Sequence, residues 1–411
     1  MANGRHAGAP DLRQWTGQGD ELADAVVAQL LARAGGDDAA KAAALEAVLN
    51  DVMQWRPETP LPAPTDLLGP FLEPETGFLP QWCSTPADFA RIQRAQDFFQ
   101  RHRVTAFIVL GCASLPHCYG DREVAATLIL SGRLAAQVRQ RIADTANFVS
   151  AVMRPDALVA GGQGPRWIRK IRLMHAIMRQ MTLEDPTAHS ARDGQTPIDA
   201  MLTRSWNKPA FAPIDKVELA FVLLTFSLVI LKGWRTLGVP VPSAVAEDYL
   251  FAWSVVGHVL GVPDALLPRP GAESALSQAE ALFTECKRCE LGTEDGRLLT
   301  AALLVLLTGF SLDDARALKL PAFLEWSRPI IEVVLRTFPR SLVRELIGSD
   351  TAAALWVEPA PFLQRAVHWI VIRTAALWDS IAWRLLPERF VVAPWGSSIG
   401  NKVESLRQRR R

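Results

Sequence analysis

The sequence predicts an all-α protein, and three observations carry that reading. Apolar residues recur at steps of three and four through most of the 411 residues, the period of a helix with one buried face. Helix-start signals precede several of these stretches, as in Thr85-Pro86-Ala87-Asp88 and Thr196-Pro197-Ile198-Asp199, where threonine can cap and proline can take the first helical position. The longest apolar runs, Leu219 to Leu231 and Leu298 to Gly309, fall short of the roughly 20 residues that cross a bilayer. They are expected in a core, and no transmembrane segment is expected.

Taken in order, Glu21 to Ala34 and Asp37 to Met53 form two helices parted by Gly35-Gly36. Prolines recur from Arg56 to Pro80; they remove backbone donors and fix φ, so an extended wrapping arm is expected. A helix then runs from Pro86 through His102. Val104 to Tyr119 is a buried segment that Pro116 stops or kinks, and Arg122 to Met153 is one long or broken helix. After a turn at Ala160 to Pro165, the stretch Arg166 to Met181 forms the helix around which the chain is organised. Glu184 to Gly194 is a polar loop holding His189, and Asp215 to Thr236 is the densest apolar helix. Glu247 to Val262 follows, with Gly257 and Gly261 marking a close approach by another helix or a flat ligand. Helices near Glu273 to Leu291, Arg297 to Phe310, Arg328 to Ile347 and Pro361 to Leu386 complete the chain, ahead of an arginine-rich tail at Arg407 to Arg411.

Composition narrows the function. With 44 Lys+Arg against 43 Asp+Glu there is no overall field to attract nucleic acid, whereas 13 Trp against 2 Tyr favours a lipophilic ligand. The opening Met1 to Pro10 has no apolar h-region, so no secretory leader is expected in the sequence as it stands. Five cysteines give no disulfide framework, and Cys286-Lys-Arg-Cys289 lacks a second pair at zinc spacing. It also lacks the following histidine of covalent haem attachment, so any haem is held non-covalently. His-Glu-x-x-His, the dinucleotide fingerprint, the Walker loop and Glu-x-x-His are all absent. An enzyme of this sequence needs a cofactor for the hard chemistry.

The candidate for holding one is His175. Trp167, Ile171, Met174, His175 and Met178 make one apolar stripe on a helix. A buried imidazole needs a hydrogen-bond partner or a metal, so a satisfied core histidine and a haem ligand both fit. His258 is a second histidine on an apolar helix. Arg133, Arg139 and Arg141 lie among apolar rows, where an arginine either snorkels or binds a carboxylate such as a propionate.

Several motifs together resemble the latex clearing proteins, rubber oxygenases of the MpaB-type family. They are Leu115-Pro116 with Tyr119, Arg141-x-x-x-Thr145, Ile171-Arg172-Leu173-x-His175-Ala176-x-x-Arg179, Leu224-Thr225-Phe226-Ser227 leading to Leu237-Gly238-Val239, and Trp253-x-x-x-Gly257-x-x-x-Gly261-Val262. The resemblance runs from about Phe89 to Pro268. It implies a globin-like helical core with additional N- and C-terminal helices, one non-covalent haem b, and O2-dependent cleavage of carbon–carbon double bonds in a polyisoprenoid such as poly(cis-1,4-isoprene).

By motif, His175 is the implied proximal ligand, with Arg172, Arg179 and His258 as further candidates for holding the cofactor. Arg141 and Thr145 are implied to lie beside the haem with a catalytic role. Asp144 stands where the rubber oxygenases carry a lysine that approaches the open face of the iron. Asp121 and Glu123 are the nearest acids to the family's distal glutamate base, and Glu123 is the one assigned that role. The expected organisation is an N-terminal part at 1–85, a haem-binding core at 86–270 and C-terminal helices at 271–400 packed on it. Two other functions fit the same residues: a haem sensor or carrier without turnover, and a cofactor-free helical interaction protein.

Overall fold

The computed structural model of the chain describes residues 10–73, 79–130, 134–159, 161–184, 213–269, 271, 273–286, 292–317, 328–362 and 364–370. The regular elements are α1 (Glu21–Ala34), α2 (Asp38–Gln54), α3 (Thr65–Leu72), α4 (Pro86–Arg101), α5 (Arg103–Val109), a π turn (Leu110–Ser114), α6 (Leu115–Gly120), α7 (Arg122–Leu130) and α8 (Leu134–Val152). They continue with α9 (Gly164–Glu184), α10 (Lys216–Phe226), α11 (Leu228–Thr236), α12 (Ser243–Leu260), α13 (Ala275–Cys286), α14 (Glu294–Ala317), α15 (Arg328–Ile347) and α16 (Ser349–Ala354). Residues 364–370 are also helical. No strand occurs among the described residues, and the protein is all-α.

Local chemistry accounts for the starts. Asp20, Asp37, Thr85 and Asp215 each accept a backbone N–H from the first turn of the helix they precede. Thr85 and Asp88 complete a reciprocal capping box ahead of Pro86. Thr85→Ala is expected to cost about 1 kcal/mol in urea unfolding, and Thr85→Ser close to nothing.

Three expectations are corrected, and of two alternatives left open for a fourth feature one is observed. The proline-rich arm contains α3, which buries Leu68, Phe71 and Leu72 against α1 and α9, so its apolar content overrides the proline spacing. Pro116 neither stops nor kinks its segment into a loop. The π turn before it loosens the helix, and Leu110 to Gly120 continue fully buried. Asp215 to Thr236 divides at Ser227, whose hydroxyl donates to the Leu223 carbonyl at 3.0 Å. As a pair, Lys216–Thr236 is long and apolar enough to cross a membrane, but 72% of its apolar window is buried inside the protein. The Gly257 and Gly261 spacing serves helix packing: a Cβ on Gly257 would meet Leu223 and Leu267, while Gly261 takes φ +97° as the left-handed end of α12 beside Asp20 and Arg172.

Two hydrophobic cores result. A large one runs from Cys83 to Val357 and contains most of α4 to α6, α10 and α12. A smaller one joins α1, α2 and α3 to Leu173, Ala176 and Ile177 of α9. Helix α9 therefore lies between them, with Ile168 in the large core, Ile171 against it, and Met178 packed on both.

Candidate functional site

The turn that launches α9 requires small residues. Gly164 donates its N–H to the Ala157 carbonyl, and a Cβ there would lie 2.6 Å from that oxygen. From this start, Ile168, Ile171, His175 and Met178 fall on one face at i, i+3, i+7 and i+10, and the three apolar members pack with the large core. The half-buried imidazole of His175 is thereby turned toward that core. Leu173, Ala176 and Ile177 occupy the opposite face, in the smaller core.

Helix α8 packs directly on α9. Its inner stripe carries Phe148, Val149 and Val152 in the large core, and Thr145 is half-buried one turn earlier. Arg141 lies in the same helix one further turn back, its side chain outside the described residues. Asp144 stands apart from these: it is exposed, and its charge acts on Lys170. Burial pulls the Lys170 ammonium down to about 8 against the opposing pull of Asp144 and Glu58, and the amine donates to the carbonyls of Met53 and Trp55. Asp144 thus sits on the rim over α2 and α9, not on the stripe where an acid beside the iron is expected.

Three other expected cofactor residues are engaged by the protein itself. Arg172 forms a fork with Asp20, at 2.5 and 2.8 Å, and donates to the Val259 carbonyl at 3.1 Å. Arg179 is buried; it pairs with Asp24 and donates to the carbonyls of Pro213 and Ile214. His258 bonds Asp264 at 2.7 Å near the surface, where Asp264 also accepts from the Trp82 indole. Burial opposes ionisation of Asp264, but those two bonds outweigh it and hold the carboxyl below its usual range. In this arrangement the two arginines tie the N-terminal helices to α9 and α12, and His258 is held near the surface by Asp264 and Trp82. Their candidacy as cofactor ligands is not supported by these contacts.

An acidic group completes the site, and sequence reading singled out only half of it, Asp121 and Glu123. Asp121 precedes α7, Glu123 lies in its first turn, and Asp215 and Glu218 open α10. Asp121 accepts the N–H groups of Glu123 and Val124, and Asp215 those of Gly17, Val217 and Glu218. Glu218 accepts from Ile214 through Oε2, while its buried Oε1 has no hydrogen-bond partner. Burial raises all four carboxyls, repulsion from their neighbours adds to it for Asp121, Glu123 and Glu218, and Glu218 is raised well above the ordinary range. Arg179 connects this group to His175: one turn along α9, it holds the Pro213–Ile214 carbonyls and attracts Asp215.

The sequence signal for Asp215 and Glu218 was that of a capping pair at a helix start, which says nothing of burial. The buried His117, edge-on to Phe283 at 5.4 Å, was likewise unmarked. Cys112 and Cys118 have thiols pushed up to about 12 by burial, so they are inert core residues. Cys289, His189 and the tail Arg407 to Arg411 lie outside the described residues.

A stability consequence follows from Glu218. A carboxyl whose native pKa is raised holds its proton more tightly folded than unfolded, so stability declines as pH rises from the unfolded value near 4.3 through the folded value. Glu218→Gln keeps the acceptor for Ile214 and removes the ionisation. Thermal unfolding between pH 5 and 9 is expected to show a shallower decline for this variant, and identical slopes would place the carboxyl in water.

A bare ion and a macrocycle each require a different donor set. Among the described residues no three His, Cys, Asp or Glu side chains converge as a bare-ion site requires. One imidazole on a rigid helix, turned to an apolar core, fits what a haem asks of a protein ligand.

Comparison with known proteins agrees with this architecture. The solved structure of latex clearing protein in the closed state superposes with a TM-score of 0.61 over 93% of this chain and 89% of that one, at 20% identity. The rubber oxygenase of Streptomyces sp. (strain K30) is 29% identical over 289 residues, which are 69% of this chain and 62% of that protein's length. The family model described as ER-bound oxygenase mpaB/B′/rubber oxygenase, catalytic domain, matches residues 100–377. The match continues past Pro268, where the motif resemblance ends, through α14 and α15. The chain belongs to this oxygenase family.

Proposed function

We propose that the protein is a haem b-dependent oxygenase that cleaves carbon–carbon double bonds of a lipophilic polyisoprenoid with O2, giving carbonyl-ended products. The observation that supports it most is the position of His175, a single imidazole on the face of α9 turned to the large core, in a chain of an oxygenase family. When bound, haem supplies the iron that binds and activates O2. His175 would hold that iron through a neutral ring nitrogen, and Arg141, which the family resemblance assigns to the haem's side, would supply a guanidinium to a propionate. The apolar residues of the large core would exclude water from the reacting groups. Glu123, half-buried with its pKa raised by burial, would serve as the proton-exchanging carboxyl, a role that an upward shift favours.

An absorption spectrum of the purified protein tests the cofactor. A Soret band and the pyridine haemochrome of haem b are expected, and a colourless protein after haem supplementation would sink the proposal. Incubation with polyisoprene under air is expected to release carbonyl-ended fragments. The exposed position of Asp144 favours one second reading, a haem sensor or carrier, because the lysine that approaches the iron in the rubber oxygenases has no counterpart there. Haem with no product from any polyisoprenoid would support it.

A further inference from the structure

Two arginines bracket His175 on α9. Arg172 lies at i−3 and Arg179 at i+4, which puts both on the imidazole's side of the helix. Each guanidinium engages all three of its nitrogens. Arg172 forks onto both oxygens of Asp20 and donates to the Val259 carbonyl near the end of α12 at 3.1 Å. Arg179, 3% exposed, pairs with Asp24 and donates to the Pro213 carbonyl at 3.0 Å and the Ile214 carbonyl at 2.7 Å, just ahead of α10.

The two carboxylates are locked to one another in the first turn of α1. The Asp24 backbone N–H donates to the Asp20 carbonyl at 2.7 Å, and Asp24 Oδ2 accepts the Asp20 N–H at 2.9 Å. Two glycines leave room for this frame. A Cβ on Gly19 would lie 2.5 Å from Asp24 Oδ2, and one on Gly261 would lie 2.8 Å from Asp20 Oδ2 and 2.9 Å from Arg172 Nε. Around the turns that carry His175, α1, α12 and the entry to α10 are therefore joined to α9 by directional bonds.

Apolar packing alone defines the rotation of α9 poorly. Its apolar residues are divided between two cores, Ile168 in the large one and Leu173, Ala176 and Ile177 in the smaller, and apolar burial is non-directional. A turn of about 20° carries a ring at the side-chain radius of a helix about 2 Å sideways, well outside the roughly 0.5 Å within which a functional group must be held. Bidentate charge-assisted bonds supply the missing direction.

We propose that Asp20 and Asp24 are positioning residues: through Arg172 and Arg179 they set the rotation of α9, and with it the direction in which His175 presents its ring. This role rests on the haem reading of His175.

Asp24→Asn and Lys170→Met separate it from a merely structural role. Asparagine keeps an acceptor for the Asp20 N–H and loses the charge of the clamp, at a side chain 37% exposed. Lys170 ties the same N-terminal helices to α9 from the side away from His175, through the carbonyls of Met53 and Trp55. Both variants are expected to keep the parent's helicity. In haem-loaded protein, Asp24→Asn is expected to shift or broaden the iron–histidine stretching band in resonance Raman spectra and to speed haem transfer to apomyoglobin on the order of tenfold, while Lys170→Met leaves both unchanged. If Asp24→Asn does not fold, Gly19→Ala, whose methyl displaces the Asp24 carboxylate, is expected to give the same two changes. Parental band and rate in the clamp variant, or equal changes in the clamp and Lys170 variants, would overturn the proposal. A parent that takes up no haem would overturn the haem reading and this role with it, so the parent alone tells the two failures apart.

Discussion

His175→Ala is expected to yield a folded helical protein that retains roughly a tenth or less of the haem bound by the parent, since the axial bond is the strongest single link to a non-covalent haem. The half-buried imidazole leaves a small gap on α9, so circular dichroism should change little, and added imidazole should restore part of the Soret band. His258→Ala is the comparison. That ring bonds Asp264 at 2.7 Å beside Trp82, with a third of its side chain exposed, so its loss should spare haem content. Haem lost from the His258 variant and kept in the His175 variant would move the site to α12.

Asp20→Ala is expected to produce the largest loss of stability, about 3–5 kcal/mol, out of a total that for most domains is about 5–15 kcal/mol. Asp20 performs two tasks. Its Oδ1 accepts the Ala23 N–H that begins α1, and both oxygens take the Arg172 fork. Both side chains are well buried, so removing the carboxylate strands a guanidinium in a place where water reaches it poorly. Asp20→Asn keeps the cap and loses the charge pair, and should fall between parent and alanine variant. Urea unfolding followed by circular dichroism measures all three, and a loss below about 1 kcal/mol for Asp20→Ala would show that the pair is solvated.

The conformity of α1, α4 and α12 to their sequence signals has a common cause. Caps and apolar periodicity act within one or two turns, so Asp20, Thr85 and the left-handed Gly261 could be placed from neighbours in the chain alone. Where long-range packing decides, local signals misled. The prolines of the arm did not prevent α3, because Leu68, Phe71 and Leu72 gain more by burial under α9 than the chain loses. The small-residue spacing of α12 had two readings, and only the side chains of Leu223 and Leu267 resolve it as helix packing.

The site divides the same way. By itself the sequence determined that the protein is all-α and that His175 lies on an apolar helical stripe, because both follow from the 3.6-residue period. Its motifs also pointed to the oxygenase family. The tertiary structure decided which face of α9 meets the large core, that Arg172 and Arg179 are committed to Asp20 and Asp24, and that Asp144 is exposed. It also decided that carboxyls nearly a hundred residues apart come together, so that Asp215 raises Asp121 and Glu123, and all three raise Glu218. The reason is the range of the forces: helix formation is settled by near neighbours, whereas ion pairing and desolvation depend on partners that only the folded chain brings together.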